Sequence, residues 1–409
     1  MTTAAARVCV IGAGPCGLAA VKNLLAEGVS EVTCFEESDG IGGNWAFTDD
    51  PLRASVHECT HTISSRRLSS FEDFPMPNSY PDFPSHRQMH AYFSSYANAF
   101  RLWPHIRLGS RVVRCTPHAD GRWTVQTVQT TETFDWLLVC NGHHRLPFFP
   151  WYPGSFAGQT LHSSTYKRPE PFRDRRVLVV GSGNSAADIA VDVSRFASHT
   201  ALSVREGTYF VPKLAGGRPV DDVFAFWAGK LPKPLLRLAL RLWLRLAVGG
   251  WSRYGLPRPT QAPLVKPPTV NSAILEALRH GRIGVRPAIS HFDADAVHFT
   301  DGTREGYDTV IMATGFRPGF PFLPKHITAT PLYLRMMHPW LPSLYFIGLF
   351  QPIGCVWRLA DHQARIAARQ IAGRLPRRPD MAERLSRELE VDYRDFHRAL
   401  QREFKLPRS

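Results

Sequence analysis

Along this chain, short runs of apolar and β-branched residues stop at glycine and give way to stretches with the apolar spacing of a helix. Residues 7–14 read Arg-Val-Cys-Val-Ile-Gly-Ala-Gly, followed by a helix-like stretch over 18–26 and a strand-like run over 31–35. The rhythm returns at Val177-Leu-Val-Val-Gly-Ser-Gly-Asn-Ser-Ala186, with a helix expected over 185–197 and a strand over 200–204. Two further apolar runs, Trp136-Leu-Leu-Val-Cys-Asn-Gly142 and Thr309-Val-Ile-Met-Ala-Thr-Gly315, also end at glycine and precede proline-containing stretches. Strands alternating with helices predict an α/β fold built on parallel sheets.

The glycines state what the turns are for. Gly12, Gly14 and Gly17 form G-x-G-x-x-G: the first permits the turn, the second admits a pyrophosphate close to the backbone, and the third lets helix and strand pack closely. Glu36 ends the next strand about twenty residues later, where a carboxylate meets a ribose diol. In the second unit Gly181, Gly183 and Ala186 take the same places, with Asn184 and Ser185 opening the helix, and Arg205 stands where the first unit has Glu36. A guanidinium there favours a 2′-phosphate, hence NADPH, and Lys213 is a second candidate for that phosphate. The expected architecture is two Rossmann-like dinucleotide-binding domains, the NADPH domain (169–318) inserted into a discontinuous domain made of 1–168 and 319–409. A helical insertion is expected at about 214–268.

Composition removes several other classes. A hydrophobic fraction of 44% and a charged fraction of 21% suit a globular core rather than a disordered or fibrous chain. The net charge of +14 is spread along the chain without a zinc-finger, helix-turn-helix or RNP pattern, so nucleic acid is not an expected partner. The seven cysteines, at 9, 16, 34, 59, 115, 140 and 355, form no C-x-x-C pair, which suits buried thiols in the cytoplasm without disulfides. The seventeen histidines show no H-E-x-x-H or related spacing, and no metal is expected. Residues 1–7 pass straight into the first strand, so a signal peptide is not expected, and no uncharged apolar run reaches the roughly 20 residues of a membrane span. The run Leu235–Val248 sets Arg237, Arg241 and Arg245 as a basic stripe on an apolar helix, which suits either weak contact with an anionic membrane or a helix packed over the active site.

Gly40-Ile-Gly-Gly-Asn-Trp45 extends the first nucleotide loop and resembles the FAD loop of two-dinucleotide flavoproteins, adding Gly43, Asn44 and Trp45 to that site. Between the two units, Phe156-Ala-Gly-Gln-Thr-Leu-His-Ser-Ser-Thr-Tyr166 reads F-x-G-x-x-x-H-x-x-x-Y. This resembles the identifying motif of the class B flavin-containing monooxygenases. Cys140-Asn-Gly-His-His144, Ala313-Thr-Gly-Phe-Arg-Pro318 and Phe346-Ile-Gly-Leu-Phe-Gln-Pro-Ile-Gly354 extend the resemblance and bring in Gly315, Gly348 and Gln351. It implies an NADPH-dependent monooxygenase in which reduced FAD takes up O2 as a C4a-hydroperoxide and passes one oxygen to a small soft nucleophile, an amine or a sulfide. It also places Asn44 and Gln351 near the flavin and gives His162 a part in linker and NADP positioning.

Baeyer-Villiger enzymes usually carry Trp where this chain has Tyr166, but ketone oxidation remains the alternative, beside a weakly coupled NADPH oxidase. A disulfide reductase is disfavoured because no redox-active cysteine pair is present. A flavoprotein that only senses nucleotides is the reading from outside catalysis. Animal-type members carry Thr-Asn-x-Ser-Lys before Phe-x-Asp-Phe-Pro; anchoring on Phe71-Glu-Asp-Phe-Pro75 puts Ile63 in the Asn position, while a two-residue gap would put His61 there. Isoleucine excludes water but donates no hydrogen bond, which implies leakage of reducing equivalents to hydrogen peroxide.

Arg205→Ala is expected to lower the NADPH/NADH ratio of catalytic efficiencies tenfold or more, since a charge-assisted phosphate contact contributes roughly 1.5–3 kcal/mol. Steady-state kinetics with both nucleotides checks this, and an unchanged ratio removes Arg205 from the site.

Overall fold

The computed structural model describes residues 6–228, 230–377 and 385–405. Strand β1 (Val8–Ile11) is buried along its whole length, as expected for the interior of a parallel sheet covered on both faces. Helix α1 (Pro15–Ala26) begins with proline in its first turn, where the missing N–H costs nothing, and buries residues 17–24. The chain continues through β2 (Val32–Phe35) and then α2 (His86–Ala99), whose start is fixed by a reciprocal capping box between Ser85 and Gln88. β3 (Ile106–Arg107) and β4 (Trp136–Val139) complete this half.

The chain then runs through β5 (Leu146–Pro147) and β6 (Gln159–His162) into the second nucleotide unit: β7 (Arg176–Val180), α3 (Asn184–Val193) and β8 (His199–Ser203). The insertion holds α4 (Val220–Ala228) and α5 (Lys233–Ala247). β9 (Gly284–Arg286), β10 (Thr309–Met312) and β11 (Phe316–Arg317) lead back to β12 (Leu344–Phe346), α6 (Val356–Ile371) and α7 (Tyr393–Phe404).

Two five-stranded parallel sheets result, ordered β12-β4-β1-β2-β3 and β9-β8-β7-β10-β6. Each is accompanied by a three-stranded antiparallel meander just before its returning strand, residues 112–134 in one case and 289–306 in the other. Strand β6 lies in the second sheet although it precedes the expected boundary at residue 168. It pairs in register with β10, Gln159 opposite Thr309 and His162 opposite Met312. The reason is geometric: β10 needs a neighbour on its open edge, and the chain supplies one before the glycine turn of the second unit. The two connectors between the sheets also pair with each other, β5 antiparallel to β11.

Helix α1 packs on α6 across a buried polar network. Asp361, 2% exposed, accepts from Asn23 Nδ2 at 2.7 Å, pairs with Lys22 Nζ at 3.1 Å and with Arg365 at 2.7 Å. Lys22 also reaches Asp73 of the Phe71–Pro75 segment at 2.6 Å. Removing one partner strands the others in a dry setting, so Asp361→Ala is expected to lower the free energy of unfolding by about 3 kcal/mol. Urea unfolding of the flavin-loaded protein measures it, and a loss under about 1 kcal/mol would show the network to be incidental.

Candidate active site

The first turn is set by contacts that only glycine tolerates. Gly12 has φ +99°, and a Cβ there would stand 2.9 Å from the Cys140 carbonyl oxygen. A Cβ at Gly17 would fall 1.8 Å from the Gly12 carbonyl oxygen, which is the close strand-helix approach in atomic terms. Gly14 caps α1 without a side-chain acceptor, so the first-turn N–H groups are left for an anion. Its backbone faces Gly43, whose Cα would lie 3.6 Å from an added Cβ, and Gly42 N–H donates to the Ala13 carbonyl. Buried Glu36 accepts from Ala13 N–H at 2.7 Å and from the Ser38 N–H and hydroxyl at 2.9 and 2.7 Å. An ionised carboxylate has room for about four such bonds, so one more donor, such as a ribose hydroxyl, fits. This uncapped, side-chain-free cradle beside a carboxylate suits FAD. Trp45 packs edge-on against Trp357 at 5.8 Å, tying the loop to α6.

The second turn repeats the geometry. Gly181 has φ +135°, and a Cβ there would meet the Ala313 carbonyl oxygen at 2.4 Å. Gly183 caps α3, again without a side-chain acceptor and with nothing within 4 Å of an added Cβ. Asn184 Oδ1 accepts from Val270 N–H, which fixes the start of the helix, while Ser185 is exposed and Ala186 buried against the core. Arg205 follows β8 with its side chain 81% exposed and a loose pairing to the likewise solvent-facing Glu206 at 3.7 Å, so the guanidinium is accessible to a phosphate. Lys213 points elsewhere. Its Nζ donates to the Thr62 carbonyl at 3.2 Å and lies over the Phe83 ring, and burial pushes its ammonium below the usual lysine range.

The F-x-G-x-x-x-H-x-x-x-Y residues hold the crossing between the units. Phe156 packs on Phe292, and a Cβ at Gly158 would come 2.7 Å from the Asp308 carbonyl oxygen. Ser164 N–H donates to His162 Nδ1 at 3.1 Å, so the proton sits on Nε2, which donates to the Gly315 carbonyl at 2.9 Å. Burial lowers the His162 pKa and keeps the ring neutral. Tyr166 donates to Asp192 of α3 at 2.8 Å. Gly315 itself has φ +86°. Alongside, Asn141 Nδ2 donates to the Gly319 carbonyl at 2.9 Å and Phe148 N–H to the Gly315 carbonyl at 3.0 Å, so both connectors are bound to each other.

Near the C-terminal strand, Gly348 has φ +82°, and a Cβ there would sit 2.5 Å from Cys16 Sγ at the start of α1. His143 Nδ1 lies 3.3 Å from the Gly348 carbonyl oxygen and its Nε2 2.9 Å from the Gln351 side-chain amide, which flipped would donate its N–H to that nitrogen, bringing Gly348 and Gln351 together with the Cys140–His144 segment. The sequence reading did not single out His143, although the Cys140-Asn-Gly-His-His144 run contained it; Asp192, the Tyr166 partner, had no local signal. Asn44 is exposed and accepts from Val56 N–H through its main chain, outside the His143–Gln351 pair. Ile63 is 39% exposed, on a segment pinned by the insertion: Asp221 accepts from Ser65 N–H at 2.6 Å and Asp222 from the Ser65 hydroxyl at 2.9 Å.

A sequence profile of the flavin-binding monooxygenase-like family matches residues 5–404. Dimethylaniline monooxygenase (N-oxide-forming) 2 of Oryctolagus cuniculus is 34% identical over 436 residues, covering 96% of this chain and 81% of its own length. Flavin-containing monooxygenase 2 of Homo sapiens is 35% identical over 396 residues, covering 90% and 74%. Among solved structures, S-allyl-L-cysteine S-oxygenase from Allium sativum superposes with a TM-score of 0.72 at 24% identity, covering 99% of this chain and 89% of that one. Cyclohexanone monooxygenase superposes at 0.71 with 18% identity, covering 97% of each chain, so the fold alone does not separate oxygenation of heteroatoms from oxygenation of ketones. Two uncapped helix starts on glycine turns, a carboxylate after one and an arginine after the other, and a family match across nearly the whole chain place it in the flavin-binding monooxygenase-like family, as an oxidoreductase that uses FAD, NADPH and O2.

Proposed function

We propose that this chain oxygenates an amine nitrogen or a sulfide sulfur, with FAD in the first glycine turn and NADPH at the second. The observation that carries the choice is sequence similarity: relatives at 34–35% identity over most of the chain include dimethylaniline monooxygenases named as N-oxide-forming, whereas the cyclohexanone enzyme shares only 18%. When bound, the flavin supplies acceptance of a hydride from NADPH and activation of dioxygen.

The residues of the chain bind, orient and shield. Gly12, Gly14, Gly17, Gly43 and the first-turn N–H groups of α1 would take the FAD pyrophosphate, Glu36 the ribose, and Trp45 a place beside the loop. Gly181, Gly183, Asn184, Ser185 and Ala186 would cradle NADPH, with Arg205 on its 2′-phosphate. His162 acts as a positioning residue: neutral and donating to Gly315, it holds the turn between the two sites and is not a proton carrier. Gln351, fixed by His143, and Asn44 would be the polar groups toward the flavin, beside Gly315 and Gly348. Ile63 excludes water without donating a hydrogen bond, so part of the NADPH consumed ends as hydrogen peroxide.

We also place the enzyme in the cytoplasm, with weak contact to anionic lipid through α5. No helix among the described residues is long and apolar enough to cross a membrane. Helix α5 buries Leu236, Leu240 and Leu244, the last two in one apolar cluster with Val177, Val179 and Ile189 of β7 and α3, yet leaves Leu235, Leu238, Leu242 and Leu246 exposed beside Arg241 and Arg245. Salt-sensitive cosedimentation with phosphatidylserine vesicles is expected, and none at low salt rules the contact out.

Turnover with NADPH and isotopically labelled O2 over a panel of tertiary amines, sulfides and ketones tests the main reading. Labelled N-oxide or sulfoxide is expected, with peroxide released per NADPH falling in Ile63→Asn. Labelled ester from ketones alone, or no labelled product, overturns it.

A further inference from the structure

Helices α6 and α7 bring together three side chains far apart in sequence. His362 Nε2 and His397 Nε2 face each other at 3.2 Å, and Glu72 Oε1, from the Phe71–Pro75 segment, is 3.5 Å from His362 Nε2. All three ligand atoms lie within 4.8 Å of one another. Two nitrogens bound at about 2.0–2.1 Å to a tetrahedral zinc stand roughly 3.3 Å apart. The imidazole pair therefore already has the spacing of one edge of such a site.

We propose that His362, His397 and Glu72 form a binding site for one divalent transition-metal ion of the zinc type, distinct from the nucleotide turns. The remaining positions are open to water or to Gln401, whose amide lies 3.3 Å from His397 Nε2 and can present its oxygen after a flip. The site is reached from a surface cavity of about 180 Å³ lined by His362, Arg365, Leu400, Gln401, Phe404 and Lys405. Two imidazoles and one carboxylate suit zinc, cobalt, nickel or copper; magnesium and calcium require more oxygen ligands than are gathered here. Arg358 bonds the same Glu72 Oε1 at 3.3 Å, so an ion at this site shares that oxygen with the guanidinium or displaces it.

Occupancy would clamp the C-terminal helix onto α6. The strand Glu390–Val391, just ahead of α7, pairs with Gln351–Pro352, and Gln351 N–H donates to the Leu389 carbonyl. An ion between α6 and α7 therefore braces the segment that backs Gln351, and its effect reads out as stability rather than as a new reaction.

The test uses tag-free, flavin-loaded protein stripped with a chelator and titrated with zinc chloride, followed by calorimetry and by thermal unfolding. One zinc per chain is expected, with a rise in unfolding temperature that magnesium chloride does not produce. His397→Ala and Glu72→Gln, each checked for unchanged FAD content, should weaken zinc binding tenfold or more and abolish the thermal shift. Lack of saturable binding in the wild type, or wild-type affinity in both variants, overturns the site.

Discussion

The structure depends on a double crossing of the backbone. The chain leaves the first sheet after β4, builds the second, and returns after β10, and the two connectors run side by side between the sheets. They are held by the β5–β11 pair, by Asn141 to Gly319, by Phe148 to Gly315, and above all by the neutral His162 donating to the Gly315 carbonyl. Because Gly315 adopts a positive φ directly beyond β10, a shift of this turn would displace the second unit relative to the first. Hydride transfer between two bound rings tolerates little such displacement, since about 1 Å of misplacement can cost on the order of a hundredfold in rate.

Around this crossing, glycine packing sets the shape of the two uncapped helix starts. Gly12 and Gly17 press against each other and against Cys140, Gly181 presses against Ala313, and Gly348 against Cys16. Each contact draws a strand from the far side of the unit onto a helix start that has no side-chain cap. The free N–H groups of α1 and α3 then form the two positive ends of the site. Asp361 holds α1 to α6 from behind, so the helix proposed to receive FAD is braced by a buried ion network as well as by apolar packing.

Much of this was legible because the relevant constraints are local. A positive φ at Gly12 or Gly181 demands glycine, and helix starts, strand ends and the acid-versus-arginine contrast of Glu36 and Arg205 all lie within one unit's sequence. The misses share the opposite property. Strand β6 is short, half exposed and reads Gln-Thr-Leu-His, so its membership of the second sheet follows from pairing with a strand 150 residues later. The two meanders carry no glycine signature. His143, Asp361 and the Glu72–His362–His397 cluster join residues 35 to 338 positions apart, and spacing rules for local ligand or ion pairs do not reach that far. Helix α5 was readable as amphipathic, but only the packed structure shows that Leu236, Leu240 and Leu244 face the core while a second leucine stripe faces out.

The central claim is that His162 positions the two nucleotide sites and takes no part in proton transfer. Anaerobic stopped-flow reduction of the bound FAD by saturating NADPH tests it, comparing wild type with His162→Ala across pH. Full FAD content with reduction slowed roughly tenfold or more, and a pH profile of unchanged shape, is expected of a lost positioning contact. An unchanged reduction rate, or loss of a titration step from the profile, would contradict it.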